Sequence, residues 1–183
     1  MSAPARQKRR HRRRCRPGRP AAAAWLTALQ RHLAHRIVRC HWQAFGIPLL
    51  ASCPEAMGTT LAQESDHLAQ ELFASDTVVL AHDGSADPHL IYANAAALKL
   101  WQRPWAAMVG MPSRLTAEPE QRPERARMLA QARARQALSG YSGIRISADG
   151  RRFLIRNARL WTLVDDSGLS CGQAAAFSDW HWL

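Results

Sequence analysis

Histidine and cysteine side chains crowd one predicted helix near the start of the chain. His32, His35, Cys40 and His41 lie within ten residues of one another. A zinc site needs its ligands to converge on a single point. His32 and His35 share a helix face, whereas His41 falls elsewhere on the helix. The spacing therefore favours solvated or interfacial histidines over a metal site, and we predict no metal.

Sequence patterns of enzymes are absent. The chain has no phosphate-binding loop, no HExxH zinc motif and no nucleophile elbow. Asp66 and His67 are adjacent on a predicted helix, so their side chains diverge and do not form an acid–base pair. We therefore expect a protein that is not an enzyme. A reducing compartment, which we take to be the cytoplasm, fits cysteines that form no CxxC pair: Cys15, Cys40, Cys53 and Cys171.

Arginine and tyrosine side chains in the second half of the chain suggest anion recognition. Arg114 and Arg125 flank predicted short helices, and Arg145 lies in a predicted strand. With Tyr92, Asn94 and Tyr141 they would form a wall that binds an anion through charge-assisted hydrogen bonds. For Asn94 we favour a different role, that of capping the helix which follows it. The alternative is that these arginines form surface ion pairs with nearby carboxylates, those of Glu118, Glu120 and Glu124.

The predicted strand over residues 151–164 breaks the alternation of apolar and polar residues. On a regular strand, Phe153, Asn157, Arg159 and Trp161 would share one face. Either a bulge near Asn157 exchanges the two faces, which we prefer, or Asn157 and Arg159 point into a polar cavity. A buried arginine needs an anionic partner, so the second alternative predicts an acidic ligand. Gln173, on the last predicted strand, either contacts that ligand or bonds within the fold.

The order of predicted elements indicates an α+β domain. An amphipathic helix over 21–43 and a linker over 46–58 precede a helix from Thr60 to about Ala74. Strands over 77–81 and 89–92, several short helices and a long helix ending near Gly140 follow. Asp-Gly and Ser-Gly turns then separate three strands, over 140–148, 151–164 and 169–177. We predict a five-stranded antiparallel sheet with the short helices and the long helix on one face.

The positive charge of the chain is concentrated in its first twenty residues. Residues 1–20 contain nine Lys or Arg and no acid, whereas the other 163 residues contain 16 basic and 14 acidic groups. We expect a disordered tail over 1–20, for which nucleic-acid binding is a weaker alternative. No apolar run is long enough to span a membrane. The predicted divisions are the tail, a helix and linker over 21–59, and a domain over 60–183.

Four separated stretches of sequence together resemble the MEKHLA domain, a PAS-like family. They are YANAAALKLW at 92–101, GMPSRLTAE at 110–118, YSGIRISADGRRF at 141–153 and RLWTLVDDSGLSCGQAAAF at 159–177. The family includes the C-terminal domain of plant class III homeodomain–leucine zipper transcription factors and small stand-alone bacterial proteins. The chain is similar in size to the bacterial type. It has no homeodomain or zipper, and the hexapeptide that names the family is absent.

The resemblance implies a sensory, ligand-binding or dimerising module in which the inner face of the sheet lines a cavity. A flavin photoreceptor would need a cysteine between Asn94 and Glu118, and haem would favour a histidine on the long helix. Neither is present, so no cofactor is predicted. We expect a module that recognises a small molecule, an anion if the arginines contact it, and that signals through protein contacts. The alternative is a protein-interaction or homodimerisation module with a filled core. The candidate ligand-binding residues are Asn157, Arg159, Gln173, Tyr92, Arg114, Arg145, Tyr141 and Trp161.

Overall fold

The computed structural model describes residues 23–51 and 62–183. Within these residues, five α-helices span Ala28–Phe45 (α1), Ala62–Ala74 (α2), Ala95–Trp101 (α3), Trp105–Met108 (α4) and Arg122–Arg135 (α5). Single 3-10 turns lie at Ala24–Leu26, Ser113–Thr116 and Pro119–Gln121. The predictions for the tail over 1–20 and for the helix start at Thr60 concern residues outside the described ranges.

The first helix begins and ends where local chemistry allows it. The Thr27 side chain accepts a hydrogen bond from the Gln30 amide at 3.3 Å, which satisfies one of the free donors of the first turn. At the other end Gly46 adopts a left-handed conformation with φ of 65°, and its amide bonds the Trp42 carbonyl. Glycine reaches that conformation without a steric penalty. The helix therefore extends two residues past the predicted end, to Phe45.

Within the described residues, six strands form one antiparallel sheet. They span Val78–Asp83 (β1), Leu90–Ala93 (β2), Ala137–Ile146 (β3), Arg152–Val164 (β4), Ser170–Phe177 (β5) and Asp179–Trp182 (β6). The strand order is β2-β1-β5-β4-β3, and β6 continues beside the first half of β4. The predicted α+β class with an antiparallel sheet is confirmed, although the sheet has six strands and not five.

The amide of Asn94 joins the start of α3 to the turn that precedes β1. Its side-chain oxygen accepts from the amides of Ala97 and Val79, at 3.1 and 3.0 Å. Its side-chain nitrogen donates to the carbonyls of Thr77 and Ser75, at 2.7 and 3.0 Å. Asn94 is fully buried, and it caps the start of α3, which is the role predicted for it. These bonds fix α3 against the edge of the sheet.

Helices cover both faces of the sheet. On one face, α1 and α2 pack over the second half of β4, where Trp161 is fully buried and donates from Nε1 to the Ile37 carbonyl at 3.2 Å. On the other face, α3, α4 and α5 pack over a second apolar cluster that includes Trp101 and Phe153. The cavity described below lies on this second face, which we call the inner face.

The long helix ends earlier than predicted, and the strand after it begins earlier. Gln136 adopts a left-handed conformation with φ of 62° and ends α5 at Arg135. Ala137 and Leu138 then pair with Trp161 and Leu160 on β4. The thirteen-residue strand β4 needs a partner along its second half, and this pairing outweighs the helical propensity of the segment. The Thr116 hydroxyl donates to the Ser113 carbonyl within a turn that precedes α5.

Candidate ligand cavity

A cavity of about 60 Å³ lies between the inner face of the sheet and helix α5. Its walls come from β1, β3, β4 and β5, with α3 and α5 closing the other side. The apolar part of the lining includes Leu80, Trp101, Ile155, Leu160 and Phe177. Six polar side chains also line it: His82, Thr116, Arg125, Tyr141, Arg145 and Gln173.

A bulge at Asn157 decides which residues of β4 face this cavity. Asn157 has φ of 53°, and the β3–β4 pairing passes from Ile155 opposite Gly143 to Ala158 opposite Tyr141. Three residues of β4 therefore match two of β3, which is the arrangement of a β-bulge. Because side chains alternate along a strand, the extra residue exchanges the two faces. Ile155 lies on the inner face before the bulge, and Ala158 and Leu160 lie on it afterwards.

Strand β3 contributes a tyrosine and an arginine that contact each other within the cavity wall. Arg145 Nη2 donates to the Tyr141 hydroxyl oxygen, and Nη1 donates to the Ile144 carbonyl at 2.6 Å. The two side chains meet over Gly143, which lies between them on the strand. A Cβ added at Gly143 would overlap the Tyr141 hydroxyl and lie 3.1 Å from Arg145 Nη1. The missing side chain at this position makes room for the contact.

Helix α5 places a second guanidinium group beside the first. Arg125 is partly buried and lines the cavity with Arg145, which is only 6% exposed. Burial is the main cause that lowers the pKa of Arg125 to about 10, and the positive charge of Arg145 lowers it further, whereas Tyr141 acts in the opposite direction. In the described part of the chain, none of the ion pairs involves Arg125 or Arg145.

Gln173 lies on β5, away from the two arginines, and connects the sheet to α5. Its Nε2 donates to the Leu129 carbonyl at 3.0 Å, and the residue is 1% exposed. His82 is opposite Gln173 in the pairing of β1 with β5, and its Nδ1 lies 2.7 Å from the Asp83 carbonyl oxygen. This side of the cavity is thus polar, and these hydrogen bonds are made within the protein.

Three of the eight candidate residues predicted from sequence line the cavity, namely Tyr141, Arg145 and Gln173. The other five lie elsewhere. Asn157 is exposed at the bulge, where its Nδ2 is 3.4 Å from an Asp179 oxygen. Arg159 lies on the opposite face, with its guanidinium 5.9 Å from the Phe45 ring centre. The bulge explains both positions, since it turns these side chains away from the inner face.

The remaining three candidates have structural surroundings. Trp161 is in the core under α1. Tyr92 is buried in the same core, with its ring at 5.9 Å from that of Trp105. Arg114 forms an ion pair with Asp87 at 3.0 Å on the surface. A surface ion pair was the alternative considered for it, but with Glu118, Glu120 or Glu124 as the partner.

Three of the six polar lining residues are absent from the list of candidates, namely Thr116, Arg125 and His82. For Arg125 and His82 the sequence contained a partial signal. Arg125 was grouped with Arg114 and Arg145 from its residue type, but nothing in the sequence separated the inward arginine from the surface one. His82 appeared to begin a loop, whereas β1 extends to Asp83 and carries it into the sheet. The described residues contain no group of three metal-ligating side chains, and none of their helices is long and apolar enough to cross a membrane.

The fold resembles that of several sensory domains of known structure. One is a light-oxygen-voltage domain studied with a flavin analogue, at 17% identity and a TM-score of 0.51, covering 64% of this chain and 84% of the other. A second is the PAS domain of a protein from Colwellia psychrerythraea, at 12% identity and a TM-score of 0.53, covering 60% and 92%. A third is an RNA-binding light-oxygen-voltage receptor, at 18% identity and a TM-score of 0.57, covering 70% of this chain but 36% of the receptor. At these identities the likeness concerns the fold.

The sequence comparisons are more specific about family. No curated protein matches the chain. The family model of the MEKHLA domain matches residues 31–182, a range that starts inside α1 and includes the whole sheet. This match confirms the resemblance found in the four sequence stretches. The chain belongs to the MEKHLA domain family and has a PAS-like fold.

Proposed function

We propose that the protein is a sensory module that recognises a small anionic molecule in the inner-face cavity and signals through protein contacts. The observation that carries this proposal is the pair of guanidinium groups of Arg125 and Arg145. Two like charges partly or fully removed from water disfavour folding unless an opposite charge joins them. Among the described residues lining the cavity there is no carboxylate, so an anionic ligand is the partner that this arrangement lacks.

Recognition and not catalysis is the role that the lining supports. Arg145 and Arg125 bind an anion without a proton transfer, because a guanidinium remains protonated at neutral pH. The alternative in which Asn157 and Arg159 hold an acidic ligand is not the one proposed, because both side chains lie off the inner face. Arg125 and Arg145, which belong to the predicted anion-binding wall, take that role in the proposal. A cytoplasmic location and a protein partner that receives the signal stay predictions.

Native mass spectrometry and thermal unfolding test the proposal. Protein purified from cells should carry a small acid, or its melting temperature should rise when anions are added. A ligand at one hundred times its dissociation constant stabilises the folded state by about 2.7 kcal/mol. For a domain of this size that corresponds to roughly 5–10 °C. An unbound protein whose melting temperature does not respond to any small anion, compared at equal ionic strength, would contradict the proposal.

A second candidate function is favoured by the small size of the cavity. A volume of about 60 Å³ is far below that of a typical cofactor pocket, which measures about 300 Å³ or more. A protein-interaction or dimerisation module with a largely filled core is consistent with that size. Light scattering at high protein concentration distinguishes the two, because a dimer that forms independently of anions supports the interaction module.

A further inference from the structure

The two ends of the cavity differ in what they offer a ligand. Arg125, Tyr141 and Arg145 meet at the β3 end, whereas Gln173 and His82 lie two or three strands away on β5 and β1. Strands are about 4.8 Å apart, so roughly 10 Å of sheet separates Gln173 from β3. The part of β4 between them presents Ile155, Ala158 and Leu160. The lining is thus cationic at one end and apolar in the middle.

The cationic end matches a carboxylate group. A guanidinium donates two parallel N–H groups to the two oxygens of a planar carboxylate. The Tyr141 oxygen accepts from Arg145, which leaves the phenolic O–H proton available for a second acceptor such as a ligand oxygen. Three donor groups from two elements, β3 and α5, therefore converge where the carboxylate would lie.

The far end does not provide for a second negative charge. Gln173 uses its amide nitrogen on the Leu129 carbonyl, and His82 lies with Nδ1 against the Asp83 carbonyl. In the lining formed by described residues, Arg125 and Arg145 are the arginines, and no lysine accompanies them. A second negative charge, at the end of a ligand remote from the arginines, would lie against apolar side chains. Burying a charge there without an opposite charge costs free energy.

The volume limits the length of the ligand. A water molecule needs about 10–15 Å³ of such space, so a cavity of about 60 Å³ has room for roughly four to six non-hydrogen atoms. A carboxylate uses three of them. One to three further carbon atoms fill the apolar part, and longer chains exceed it.

We propose that the ligand is a short-chain monocarboxylate, with its carboxylate held by Arg125, Tyr141 and Arg145 and its hydrocarbon end against Ile155, Ala158 and Leu160. This proposal rests on the anion-sensing function proposed above and names the chemical class that the same site takes.

Titration calorimetry on the full chain, with a series of simple acids, tests the class. Affinity should rise about fourfold for each added methylene from acetate through propionate to butyrate, because each buried CH₂ contributes that factor. It should fall again for hexanoate, which is too long. Propionamide, which has the shape of propionate without the charge, should not bind measurably. Succinate and inorganic phosphate should bind at least tenfold more weakly than butyrate.

Two variants locate the binding site. Arg145→Met and Arg125→Met should each weaken butyrate binding by a factor of about ten or more, since each removes a charge-assisted contact. Arg127→Met is the matched control, because Arg127 is exposed on α5, the helix that also carries Arg125. The Arg127→Met variant should bind butyrate with the affinity of the wild type. The chain-length series on the wild-type protein needs no variant, so it decides the class even if an arginine variant is poorly folded.

The outcomes separate the two proposals. Affinity that is independent of chain length, or tighter binding of phosphate or succinate, overturns the monocarboxylate while leaving an anion sensor. Failure of every anion in the series to bind overturns the anion-sensing function itself. Equal loss of affinity in Arg127→Met and Arg145→Met would overturn the placement of the ligand in the cavity.

Discussion

At the scale of single residues, the arrangement around Gly143 couples the sequence most directly to the proposed site. Tyr141, Gly143 and Arg145 alternate along β3, so their positions share one face of the strand. The contact between the tyrosine and the arginine occupies the space where a Cβ of residue 143 would lie. A residue with a side chain is therefore expected to alter the site before it alters the fold.

Gly143→Ala should weaken anion binding with little change in stability. The added methyl group displaces the Tyr141 hydroxyl and removes its contact with Arg145, which we expect to lower affinity by roughly tenfold, a typical factor for one hydrogen bond to a charged group. Calorimetry measures the affinity and thermal unfolding the stability. Ser142→Ala, on the exposed side of the same strand, serves as the control.

A double variant tests whether Gly143→Ala weakens binding by removing the contact between Tyr141 and Arg145. Tyr141→Phe removes the same hydroxyl, so the combination of Tyr141→Phe with Gly143→Ala should cost little more than either change alone. Losses that simply add would show that the alanine acts elsewhere, for example on the backbone of β3.

At the scale of elements, α5 is attached to the sheet by few contacts. None of its described side chains is fully buried, although Met128 and Leu129 pack against the inner-face cluster. Arg125 lies near a like charge, and the hydrogen bond from Gln173 to the Leu129 carbonyl links the middle of the helix to β5. Segments with so few buried contacts open locally at a small free-energy cost.

Gln173→Leu should loosen α5 and leave the sheet unchanged. The substitution keeps the side chain similar in size but removes the donor to Leu129, a bond that contributes about 1 kcal/mol. Amide exchange over residues 122–135 should then accelerate about fivefold, measured by hydrogen–deuterium exchange. Ser170→Ala, which is exposed on the same strand, should leave exchange as it is. Faster exchange in β1 and β4 as well would mean that Gln173 supports the whole fold.

The helices and strands differ in how well their boundaries could be predicted from the local sequence. The capping role of Asn94 and the end of α1 at Gly46 depend on local backbone chemistry. The capping role was predicted, and the predicted linker begins at Gly46. The start of β3 and the presence of β6 depend on pairing with β4, which is distant in sequence and so gives no local signal. Which arginine lines the cavity also depends on contacts that are distant in sequence. Arg114 and Arg125 have the same residue type, and only tertiary packing turns Arg125 inward.

At the scale of the whole molecule, the sheet is packed between two groups of helices, and α1 is one of them. Its buried residues include Ile37 and His41, and His41 is completely buried. The His41 ring lies 4.9 Å from the Trp161 ring in an edge-on arrangement, and Arg159 is the charged group that acts on it most. The interface between α1 and β4 thus contains a titratable group surrounded by aromatic rings.

Acid should weaken the attachment of α1 because His41 is buried in its neutral form. Burial, and next the charge of Arg159, lower the pKa of His41 from 6.5 to about 4. The unfolded chain therefore binds a proton on this residue between pH 6.5 and 4 while the folded protein does not. Stability falls as the pH falls through that window, by up to about 3 kcal/mol for a shift of this size. Above pH 6.5 both states are neutral at this residue, and the contribution is constant.

Replacing the imidazole should remove this pH dependence. His41→Phe keeps an aromatic ring against Trp161 and cannot be protonated, so the difference in unfolding free energy between wild type and variant should change in the variant's favour from pH 7 to pH 4.5. Urea unfolding followed by tryptophan fluorescence at several pH values measures it, and His67→Phe, at an exposed position on α2, is the control. Carboxylates titrate in both proteins and cancel in the difference. If the unfolding free energies of the wild type and of His41→Phe change in parallel with pH, water reaches His41 and α1 is not packed against β4 as described.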